Sequence, residues 1–582
     1  MQRRLLNLAA AFVFAACSAG PSPVAAPPPA AFAPAASARR IILFSFDGLA
    51  ADDVASFGPT YSRLAREGTV VRRVVPVNPT QTFPTHTAMI TGAPPEKNGI
   101  VANRFHLPGT PANQTASGVE ATIEVETIVE AAHHAGKRVG SIAFPTIDNK
   151  TARRQADFGI VYGKTVAAPR IIQLTPADFH AVWLPAGWGQ PRSNRTSFSP
   201  VMRARIDWSC AGRAHHDVDI AAYDTTDDQR IGYDALVVEV DGDETPLDGK
   251  GWFSVAASLD DGLYGSWSRI LRHDETLASV TLYWGAIAHA QAYPEEFRRL
   301  VEREAGFWPS PPDEGAVRNA LSGGTGIGPD VFIDQQQRLS QYLERVTLLG
   351  IQHMPFDLLL SYQPIIDSAQ HQFRITTDTQ KNATPESRAD GERVRQMAFA
   401  SFDRVLASVS SSLNPATDAL IVTGDHGVGA VDTEVRLGTL LAQWSFNRWT
   451  AFAGGGTAHL YRSPGPDDTE ALVEKLTLLR APDGAPVFEQ VLRKTAASHS
   501  NAGDVVLYAW PRFSLAAGGG EPFATASYYG QHGALNTHGE FHTTLVAWGA
   551  GVPETTIDSI RQTQIARYVS QLLGIPAPSS AE

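Results

Sequence analysis

Short apolar runs recur along the chain and alternate with longer stretches of mixed polarity. The runs lie at residues 41–46, 139–144, 356–362, 419–423 and 544–548. Such runs, with little polar alternation, are typical of strands buried on both faces of a parallel sheet. Three of them follow helical stretches near residues 124–135, 334–349 and 393–413. The order predicts an α/β fold: a mostly parallel sheet with helices on both faces, in which the run at 544–548 is the last strand.

Residues 191–330 show a different pattern, because strand-like stretches and Gly–Asp turns replace the alternation of helices and strands. We predict a β-rich insertion at 191–330 within an α/β domain formed by residues 39–190 and 331–582. Three tryptophans are expected to form the core of the insertion: Trp252, Trp267 and Trp284. The last part of the insertion is rich in Pro and Gly, which predicts a return linker.

The N-terminus has the pattern of a secretory signal. Two arginines precede an apolar stretch at residues 5–16, which is too short to span a bilayer. The stretch ends in Phe14-Ala15-Ala16-Cys17, which resembles a bacterial lipobox with Phe14 in place of the usual leucine. We predict a signal peptide at 1–16 and lipidation of Cys17. The alternative is cleavage after Ala38, which would release a free periplasmic protein.

The segment after Cys17 predicts a tether. Residues 17–38 are mostly Ala, Pro and Ser, a composition that buries no core and that proline keeps extended. We expect export across the inner membrane of a bacterium, to the periplasm or to the outer membrane as a lipoprotein. The N-terminal lipid would be the membrane contact, because no later segment has 18 consecutive apolar residues.

Composition excludes several classes of protein. The 582 residues carry 48 Lys and Arg against 60 Asp and Glu, a net charge of −12. An acidic chain lacks the basic surface that general nucleic-acid binding requires, so no nucleic acid is expected as a structural partner. Two cysteines rule out a multi-bridge disulfide framework and a Cys-rich metal site. We expect Cys210 to be a buried thiol.

Six acidic and histidine side chains follow predicted strands or precede the last one. In an open parallel sheet, ligands bind beyond the carboxyl ends of the strands, so these side chains should meet there. They are Asp47, Asp367, His371, Asp425, His426 and His532. Asp oxygens and neutral His nitrogens are good zinc ligands, and Asp367 and His371 are one helical turn apart. Two metal ions can clamp the attacking and leaving oxygens of a displacement at phosphorus.

A candidate nucleophile lies in the segment Thr80-Gln81-Thr82-Phe83-Pro84-Thr85-His86. Pro84 is typical of the first turn of a helix, which places the Thr82 hydroxyl among free backbone N–H groups that suit a phosphate. A threonine hydroxyl is a weak nucleophile until a metal or a base activates it, and a zinc ion beside it would do so. The structural alternative is that Thr82 merely caps the helix.

Together these segments resemble the alkaline phosphatase superfamily, most closely its nucleotide pyrophosphatase/phosphodiesterase (type I phosphodiesterase) branch. The resemblance spans about residues 40–190 and 345–577. The segments that carry it are Phe46-Asp47-Gly48, Thr80 to His86, Gly99 to Asn103, Asp367 to His371, Thr423 to Gly427 and His532-Gly533. The resemblance implies a metal-dependent hydrolase of phosphoric esters on an alkaline-phosphatase-like fold.

Carried over by position, the resemblance implies two Zn²⁺ sites, although Mn or Fe would also suit such ligands. One zinc would be held by Asp367, His371 and His532, and the other by Asp47, Asp425 and His426 with Thr82 Oγ. Thr82 would attack phosphorus and form a covalent phosphothreonine. Asn103 would donate a hydrogen bond to a non-bridging oxygen, and the Phe83 N–H would assist in binding the substrate.

The last ligand of the first zinc is open. His532, His538 and His542 all precede the final predicted strand. The branch has its ligand in a His-Gly pair, which His532-Gly533 matches, so we favour His532 over His542. His538 also precedes a glycine and is a candidate partner of a ligand.

The resemblance leaves the substrate open. A monoester carries about one more negative charge than a diester and requires added cations, and residues 144–148 offer none. Lys150, Arg153 and Arg154 lie close by and could supply them. We predict a phosphodiesterase or pyrophosphatase acting on small, nucleotide-type phosphate esters. The alternatives are an alkaline phosphomonoesterase and, from another class, a non-catalytic zinc-binding lipoprotein of the envelope.

Overall fold

The structure is a computed structural model that describes residues 38–111, 113–182, 196–376, 380 and 383–582. The predicted signal peptide, Cys17 and all of the tether except Ala38 lie outside the described residues. Within the described ranges, no helix is both long enough and apolar enough to cross a membrane.

A nine-stranded sheet forms the centre of the fold. From one edge to the other its strands are Ala292–Tyr293, Phe158–Ile160, Val139–Ile142, Leu358–Gln363, Arg40–Phe46, Asp418–Thr423, Thr543–Gly549, Thr69–Val75 and Thr555–Arg561. Seven strands share one direction, and only Ala292–Tyr293 and Thr543–Gly549 run against it. The predicted fold class, a mostly parallel α/β sheet, is confirmed.

The middle strand, Arg40–Phe46, shows why the apolar runs are continuous. Ile42 and Phe44 point into the core on one face of the sheet, while Ile41 and Leu43 point into the core on the other. All four are essentially inaccessible to solvent. A strand buried on both faces has no position at which a polar side chain would reach water.

Helices cover both faces, as predicted. One core is formed with Gly58–Arg66, Pro329–His353 and Pro385–Ser411, and the opposite core with Thr82–Thr91, Ile128–His134 and Gln564–Leu573. The helices expected near 334–349 and 393–413 are longer than predicted. The helix expected near 124–135 is shorter and begins after Thr127, whose hydroxyl accepts a hydrogen bond from Glu130 N.

Strand Thr555–Arg561 corrects the prediction that the chain has its last strand at 544–548. It pairs in parallel with Thr69–Val75 at the edge of the sheet. An edge strand is covered on fewer sides, and most of its residues are exposed or half-buried. Its sequence therefore lacks the apolar run by which the other strands are recognised.

Two antiparallel sheets form the β-rich region. One contains His180–Ala181, Met202–Cys210, Ala214–Tyr223, Ala235–Val240 and Asp243–Thr245. The other contains Lys164–Ala167, Arg170–Leu174, Trp252–Leu259, Gly262–His273, Val280–Trp284 and Ile287–His289. The sheets thus begin at Lys164, before residue 191, because Lys164–Ala167 and Arg170–Leu174 pair with strands from later in the chain. The predicted boundary at 191 is too late for these strands.

The tryptophans of this region divide between two cores. Trp284 packs with the buried Cys210 thiol in the core between the two β-sheets. Trp252 instead packs in the core of the α/β domain, and its Nε1 donates a hydrogen bond to Asp334 Oδ2 in helix Pro329–His353 at 2.9 Å. Half-buried Trp267 packs against that same core. Two of the three tryptophans therefore anchor the β-rich region to the rest of the protein.

The return linker predicted at the end of the insertion is partly wrong. Residues Glu295–Glu304 and Glu314–Leu321 form helices that pack against the α/β core through Phe297, Val301 and Val317. The second helix begins at a side-chain cap, in which Asp313 accepts a hydrogen bond from Ala316 N. The Pro and Gly residues around this helix are typical of loops, so the sequence pattern does not predict the helix.

A further β-rich unit between Thr423 and His532 was not predicted. Its four-stranded sheet contains Trp449–Gly454, Thr457–Arg462, Phe488–Arg493 and Val505–Ala509. Strands Thr433–Arg436, Phe513–Ala516 and Phe523–Thr525 form a second sheet, and helices Leu437–Gln443 and Thr469–Thr477 complete the unit. In the chain, the unit lies between two segments that form the functional site. Its structure therefore determines where the later segment, which contains His532, comes back to the central sheet.

An ion pair joins the starts of two central strands, and it allows a test of the sheet. Arg40 donates two hydrogen bonds to the buried Asp418 carboxylate, at 2.6 and 3.1 Å. We expect Asp418→Asn to lower the free energy of unfolding by about 1–3 kcal/mol at pH 7, because a charge-assisted pair is lost. Denaturant unfolding measures the loss, with Asp558→Asn in an exposed pair with Arg72 as the neutral control.

The same pair has a predictable pH dependence. Burial raises the pKa of Asp418, but the hydrogen bonds from Arg40 and from Asn414 N outweigh it and hold the pKa below its ordinary value. A pKa depressed by folding gives stability that is present above the unfolded pKa and is lost as the pH falls through the folded value. The difference between Asp418→Asn and the native chain should therefore shrink below about pH 4. An undiminished difference in acid would contradict this role.

Candidate functional site

The structure brings the six predicted side chains together in two groups. Within each group the nearest ligand atoms all lie within 4.8 Å of one another: Asp367, His371 and His532 form one, and Asp47, Asp425 and His426 form the other. Asp47 directly follows Arg40–Phe46, while Asp425 and His426 follow Asp418–Thr423. Asp367 and His371 lie in helix Ile365–Phe373, which follows Leu358–Gln363. The carboxyl edge of three neighbouring parallel strands therefore holds five of the six residues.

His532 reaches the same edge for a different reason. It directly follows Gly530–Gln531, a short strand that pairs antiparallel with Gly429–Ala430 just after His426. His542 is in neither group, and its Nε2 is hydrogen-bonded to Asn536 O at 2.8 Å. His538 Nε2 pairs with Glu489 at 2.6 Å. The geometry thus places His532, rather than His542, with Asp367 and His371.

The two groups adjoin. His371 Nε2 lies 3.2 Å and His532 Nε2 lies 3.9 Å from the Asp367 carboxylate. In the second group, His426 Nε2 lies 3.1 Å from Asp425 Oδ2 and 3.5 Å from Asp47 Oδ1. The His426 and His532 rings stack with their centroids 3.8 Å apart. One phosphate-sized group could therefore contact both sets of ligands.

Backbone carbonyls orient each histidine. Nδ1 of His371 lies 2.9 Å from Gly530 O, Nδ1 of His532 lies 2.9 Å from Thr80 O, and Nδ1 of His426 lies 3.2 Å from Gly427 O. A carbonyl accepts only, so each Nδ1 donates its proton to a carbonyl and Nε2 is the nitrogen that faces the carboxylates. Bonding of the second ring nitrogen is the usual arrangement of a metal-ligating histidine.

The carboxylates retain oxygens with no protein partner. Oδ1 of Asp47 and Oδ1 of Asp367 are buried and accept no hydrogen bond from the described residues. Asp47 Oδ2 does accept one, from the Tyr362 hydroxyl at 2.6 Å. A buried carboxylate oxygen without a donor is costly, and a bound cation removes that cost. The donor set and these two oxygens fit a pair of divalent cations.

The pKa shifts of these side chains also favour bound cations. Burial, together with the carboxylates of Asp425 and Asp367, raises the pKa of Asp47 well above its ordinary value. Burial and the charge of Asp367 raise the pKa of Asp425 to about 7. Burial alone would lower the pKa of His371, but the Asp367 carboxylate outweighs it and raises that pKa to about 9. Three mutually repelling carboxylates in one buried site are compensated best by multivalent cations.

Glycine permits the close approach of the loops that carry these groups. Gly48 has φ +73°, and a Cβ atom there would lie 2.8 Å from Asp367 Cα. Its N–H donates to Asp425 Oδ1 at 3.2 Å, while Asp367 N donates to Asp47 O at 3.0 Å. Asp47 and Gly48 therefore connect the two groups through these hydrogen bonds, in addition to forming a turn.

Thr82 is the first residue of helix Thr82–Thr91, as predicted, with Pro84 in the first turn. Its Oγ1 lies 3.3 Å from His426 Nε2, so the hydroxyl borders the second group. The helix ends at Gly92, which adopts the left-handed conformation with φ 68°. The hydroxyl is thus held at a helix N-terminus beside the Asp47, Asp425 and His426 side chains.

Asn103 is oriented by the segment that carries Thr82. Phe83 N donates to Asn103 Oδ1 at 2.9 Å, and Asn103 N donates to Gln81 Oε1 at 2.8 Å. The amide oxygen is therefore occupied, and Asn103 Nδ2 is the group left to donate. The Phe83 N–H is also occupied, so the predicted contact between this N–H and a substrate would require it to leave Asn103. The roles of both residues stay predictions.

A cavity of about 260 Å³ opens beside the first group. His371, His532, Gln81 and Asn103 line it, as do Glu314, Arg318 and Tyr528, which sequence reasoning missed. Glu314 and Arg318 belong to the helix hidden in the Pro- and Gly-rich stretch. No sequence motif indicates that they belong to the site, because only the fold brings this distant segment to the edge of the sheet.

The cations that the sequence offered for a monoester are engaged elsewhere. Arg154 is buried and donates to the carbonyls of Thr146, Gly118 and Ala121. Arg153 bonds Glu130 at 3.2 Å and Ile123 O at 2.6 Å. Lys150 lies 3.8 Å from Glu120 at the surface. None of the three lines the cavity beside the first group.

Paired Asp/His groups beside a hydroxyl suit a hydrolase of phosphoric esters, and the comparison with known proteins agrees with that class. The profile of the type I phosphodiesterase / nucleotide pyrophosphatase family matches residues 41–196 and 239–539. The chain belongs to this family. The resemblance inferred from the motifs is therefore confirmed.

Similarity to individual relatives is local. The human ectonucleotide pyrophosphatase/phosphodiesterase family member 1 is 40% identical over 70 residues, which are 12% of this chain and 8% of that protein. The bis(5'-adenosyl)-triphosphatase of Xenopus laevis is 42% identical over 71 residues, 12% of this chain and 16% of that protein. The chain thus matches less than a fifth of the length of these relatives.

A solved structure of similar extent is the murine ectonucleotide pyrophosphatase/phosphodiesterase 5, an inactive variant in complex with AMP. It is 13% identical, with a TM-score of 0.49, over 93% of this chain and 96% of that chain. The human protein of the same name is 14% identical, also with a TM-score of 0.49.

Metal content tests the two groups. We expect the purified full chain to hold about two zinc ions, and Asp47→Ala and Asp367→Ala each to lose about one, because each removes a ligand from a different group. Elemental analysis after gel filtration measures this, with Asp558→Asn as the control at an exposed carboxylate. Retention of both ions in either variant would show that these groups do not bind them.

Proposed function

We propose that this chain is a two-zinc phosphoesterase that hydrolyses phosphodiester or pyrophosphate bonds of nucleotide-type substrates. Thr82 would be the nucleophile, and the reaction would pass through a covalent phosphothreonine. The observation that carries the proposal is the position of Thr82 Oγ1, 3.3 Å from His426 Nε2, at the N-terminus of a helix and beside two Asp/His groups. Membership of the type I phosphodiesterase / nucleotide pyrophosphatase family supports the same reaction class.

The residues present fit the metals that such a reaction needs. Asp367, His371 and His532 would hold one zinc, and Asp47, Asp425 and His426 would hold the other with Thr82; Mn or Fe would also suit these donors. When bound, the metals would supply Lewis acidity that favours ionisation of the Thr82 hydroxyl and offsets charge on the phosphate. Tyr362 would keep Asp47 in position through its 2.6 Å hydrogen bond.

The chain's own groups would act in two displacements. Thr82 Oγ forms a bond to phosphorus, its proton passes to solvent, and the bond from phosphorus to the leaving-group oxygen breaks with its electron pair on that oxygen. Water then attacks the same phosphorus from the opposite side, loses a proton to solvent and displaces Thr82, whose oxygen regains a proton. Asn103 Nδ2 would donate to a non-bridging oxygen in both steps.

The cationic side chains that could serve a monoester are bonded to other groups, which favours a diester substrate. Arg154, Arg153 and Lys150 bond carbonyls or carboxylates outside the cavity, so they add no charge to the reacting phosphate. A monoester would bring about one further negative charge, for which these three side chains offer no partner. We therefore keep the phosphomonoesterase as the second candidate.

We also propose that the protein is an exported lipoprotein of a bacterial envelope, periplasmic or on the outer membrane. The support is the sequence alone: an apolar stretch at 5–16, Cys17 after two alanines, and an Ala/Pro-rich tether that leads to the folded domain. The lipid would hold the enzyme where phosphate esters enter the cell envelope.

Two substitutions of one residue test the proposed nucleophile. We expect Thr82→Ala to lower kcat on thymidine 5'-p-nitrophenyl phosphate by at least about 1,000-fold, because the attacking oxygen is lost. Thr82→Ser keeps a hydroxyl and should retain more activity. Steady-state assays with added zinc measure both, with p-nitrophenyl phosphate as the monoester.

The preference between the two substrates decides between the candidate functions. A higher kcat/KM on the diester, lost in Thr82→Ala, is the expected result. A preference for p-nitrophenyl phosphate would support the monoesterase. Unchanged turnover in Thr82→Ala, with zinc retained, would overturn Thr82 as the nucleophile.

A further inference from the structure

Arg154 is a buried cation outside the two Asp/His groups. It is 2% exposed and ends the short helical turn Ala152–Arg154. Burial lowers the pKa of its guanidinium to about 10, and the charge of Asp148 offsets part of that effect. The guanidinium is therefore still charged at neutral pH, and its burial is costly unless its N–H groups are hydrogen-bonded.

Backbone carbonyls from two separate segments bind this guanidinium. Nη1 donates to Thr146 O at 2.7 Å. Nη2 donates to Gly118 O at 3.1 Å and also to Ala121 O. Hydrogen bonds from a charged donor are stronger than neutral ones, and the planar guanidinium fixes their directions. The guanidinium therefore joins a turn at residues 118–121 to a loop at residues 143–149.

The 143–149 loop gives the guanidinium a fixed anchor. The loop follows strand Val139–Ile142 and contains three non-glycine residues in the left-handed conformation: Ala143 with φ 52°, Thr146 with φ 77° and Asn149 with φ 60°. Such a φ is costly for a β-branched residue, and Thr146 is completely buried. Asn149 N donates to Arg154 O at 3.1 Å, so a second bond ties the loop to this arginine. A strained conformation persists only where its surroundings hold it.

The 118–121 turn contacts Asn103 directly. Gly118 N donates to Asn103 O at 3.0 Å, and a Cβ atom at Gly118 would lie 2.8 Å from Phe83 Cβ. Asn103 N donates to Oε1 of Gln81, the residue before the proposed nucleophile, at 2.8 Å. The backbone of Asn103 is thus bonded on one side to the segment that carries the nucleophile and on the other side to the turn that the guanidinium binds.

We infer that Arg154 is a positioning residue that acts through Asn103. The inference rests on the proposed function, in which Asn103 Nδ2 donates to a non-bridging oxygen of the phosphate. Arg154 binds two carbonyls of the 118–121 turn, and Gly118 in turn bonds Asn103 O, which fixes the place of Asn103 relative to Thr82. Fixed donors contribute to catalysis because no reorganisation is needed during the reaction. Arg154 itself adds no charge to the phosphate.

A double-mutant cycle tests this link. In the full chain with zinc, we expect Arg154→Gln to lower kcat on thymidine 5'-p-nitrophenyl phosphate by about 10- to 100-fold, with KM changed less than about 3-fold. In an Asn103→Ala background the same substitution should lower kcat by less than about 3-fold, because the group that Arg154 positions is already absent. Arg154→Lys keeps the buried charge without the planar fork, so its loss should be smaller and should depend on Asn103 in the same way.

The matched control is Arg153→Gln. Arg153 precedes Arg154 in the chain and bonds Glu130 and Ile123 O instead, so its substitution should leave kcat within about 3-fold of the native value. Thermal unfolding and elemental analysis accompany the assays. We expect each variant to be folded and to hold about two zinc ions, because none of the substitutions removes a proposed ligand.

A merely structural role of Arg154 gives different results. Equal fold-losses of kcat in the native and Asn103→Ala backgrounds would overturn the inference, as would an unchanged kcat in Arg154→Gln. Unfolding or loss of zinc in both Arg154 variants would overturn it too, because Arg154 would then serve the fold or the metal ligands. If Asn103→Ala leaves kcat unchanged, the inference fails while the proposed function stands. If the native chain hydrolyses neither this diester nor p-nitrophenyl phosphate, the proposed function fails and the inference fails with it.

Discussion

The mutual repulsion of three carboxylates is the constraint on which this site depends. Asp47, Asp367 and Asp425 converge in a buried space where two of their oxygens lack a protein donor. Burial and mutual repulsion raise the pKa of Asp47 and of Asp425. Bound cations would offset this repulsion, and the Nε2 atoms of three histidines face the cluster. The parallel sheet makes the cluster possible, because the ends of adjacent strands leave their loops side by side.

The helices and loops around the two Asp/His groups mainly place other side chains next to them. Helix Thr82–Thr91 presents its first hydroxyl to one Asp/His group, and its neighbouring residues orient Asn103. The helix at Glu314–Leu321 closes the other side of the cavity and brings a cation to it. One sheet edge thus brings together elements that are far apart in the chain.

Prediction from sequence succeeded where a signal was local. Apolar runs such as 41–46 marked strands buried on both faces, and Asp47, Asp425 and His426 follow such runs directly. The strands Thr555–Arg561, Lys164–Ala167 and Arg170–Leu174 were missed, because strands that are mostly exposed or half-buried carry no such run. Tyr362 was missed as well, since its hydrogen bond to Asp47 joins two strands and no spacing in the chain reveals it. His532 was favoured over His542 from its His-Gly pair, and the pairing of Gly530–Gln531 with Gly429–Ala430 accounts for its place beside His426.

The covalent intermediate is the most direct test of the central claim. The native chain would be mixed with thymidine 5'-p-nitrophenyl phosphate, quenched in acid within the first turnover and digested for peptide mass spectrometry. The account predicts a thymidylyl adduct on Thr82, formed with a burst of nitrophenolate and absent from Thr82→Ala. Turnover without an adduct, or an adduct on another residue, would contradict the assignment of Thr82 as the nucleophile between the two Asp/His groups.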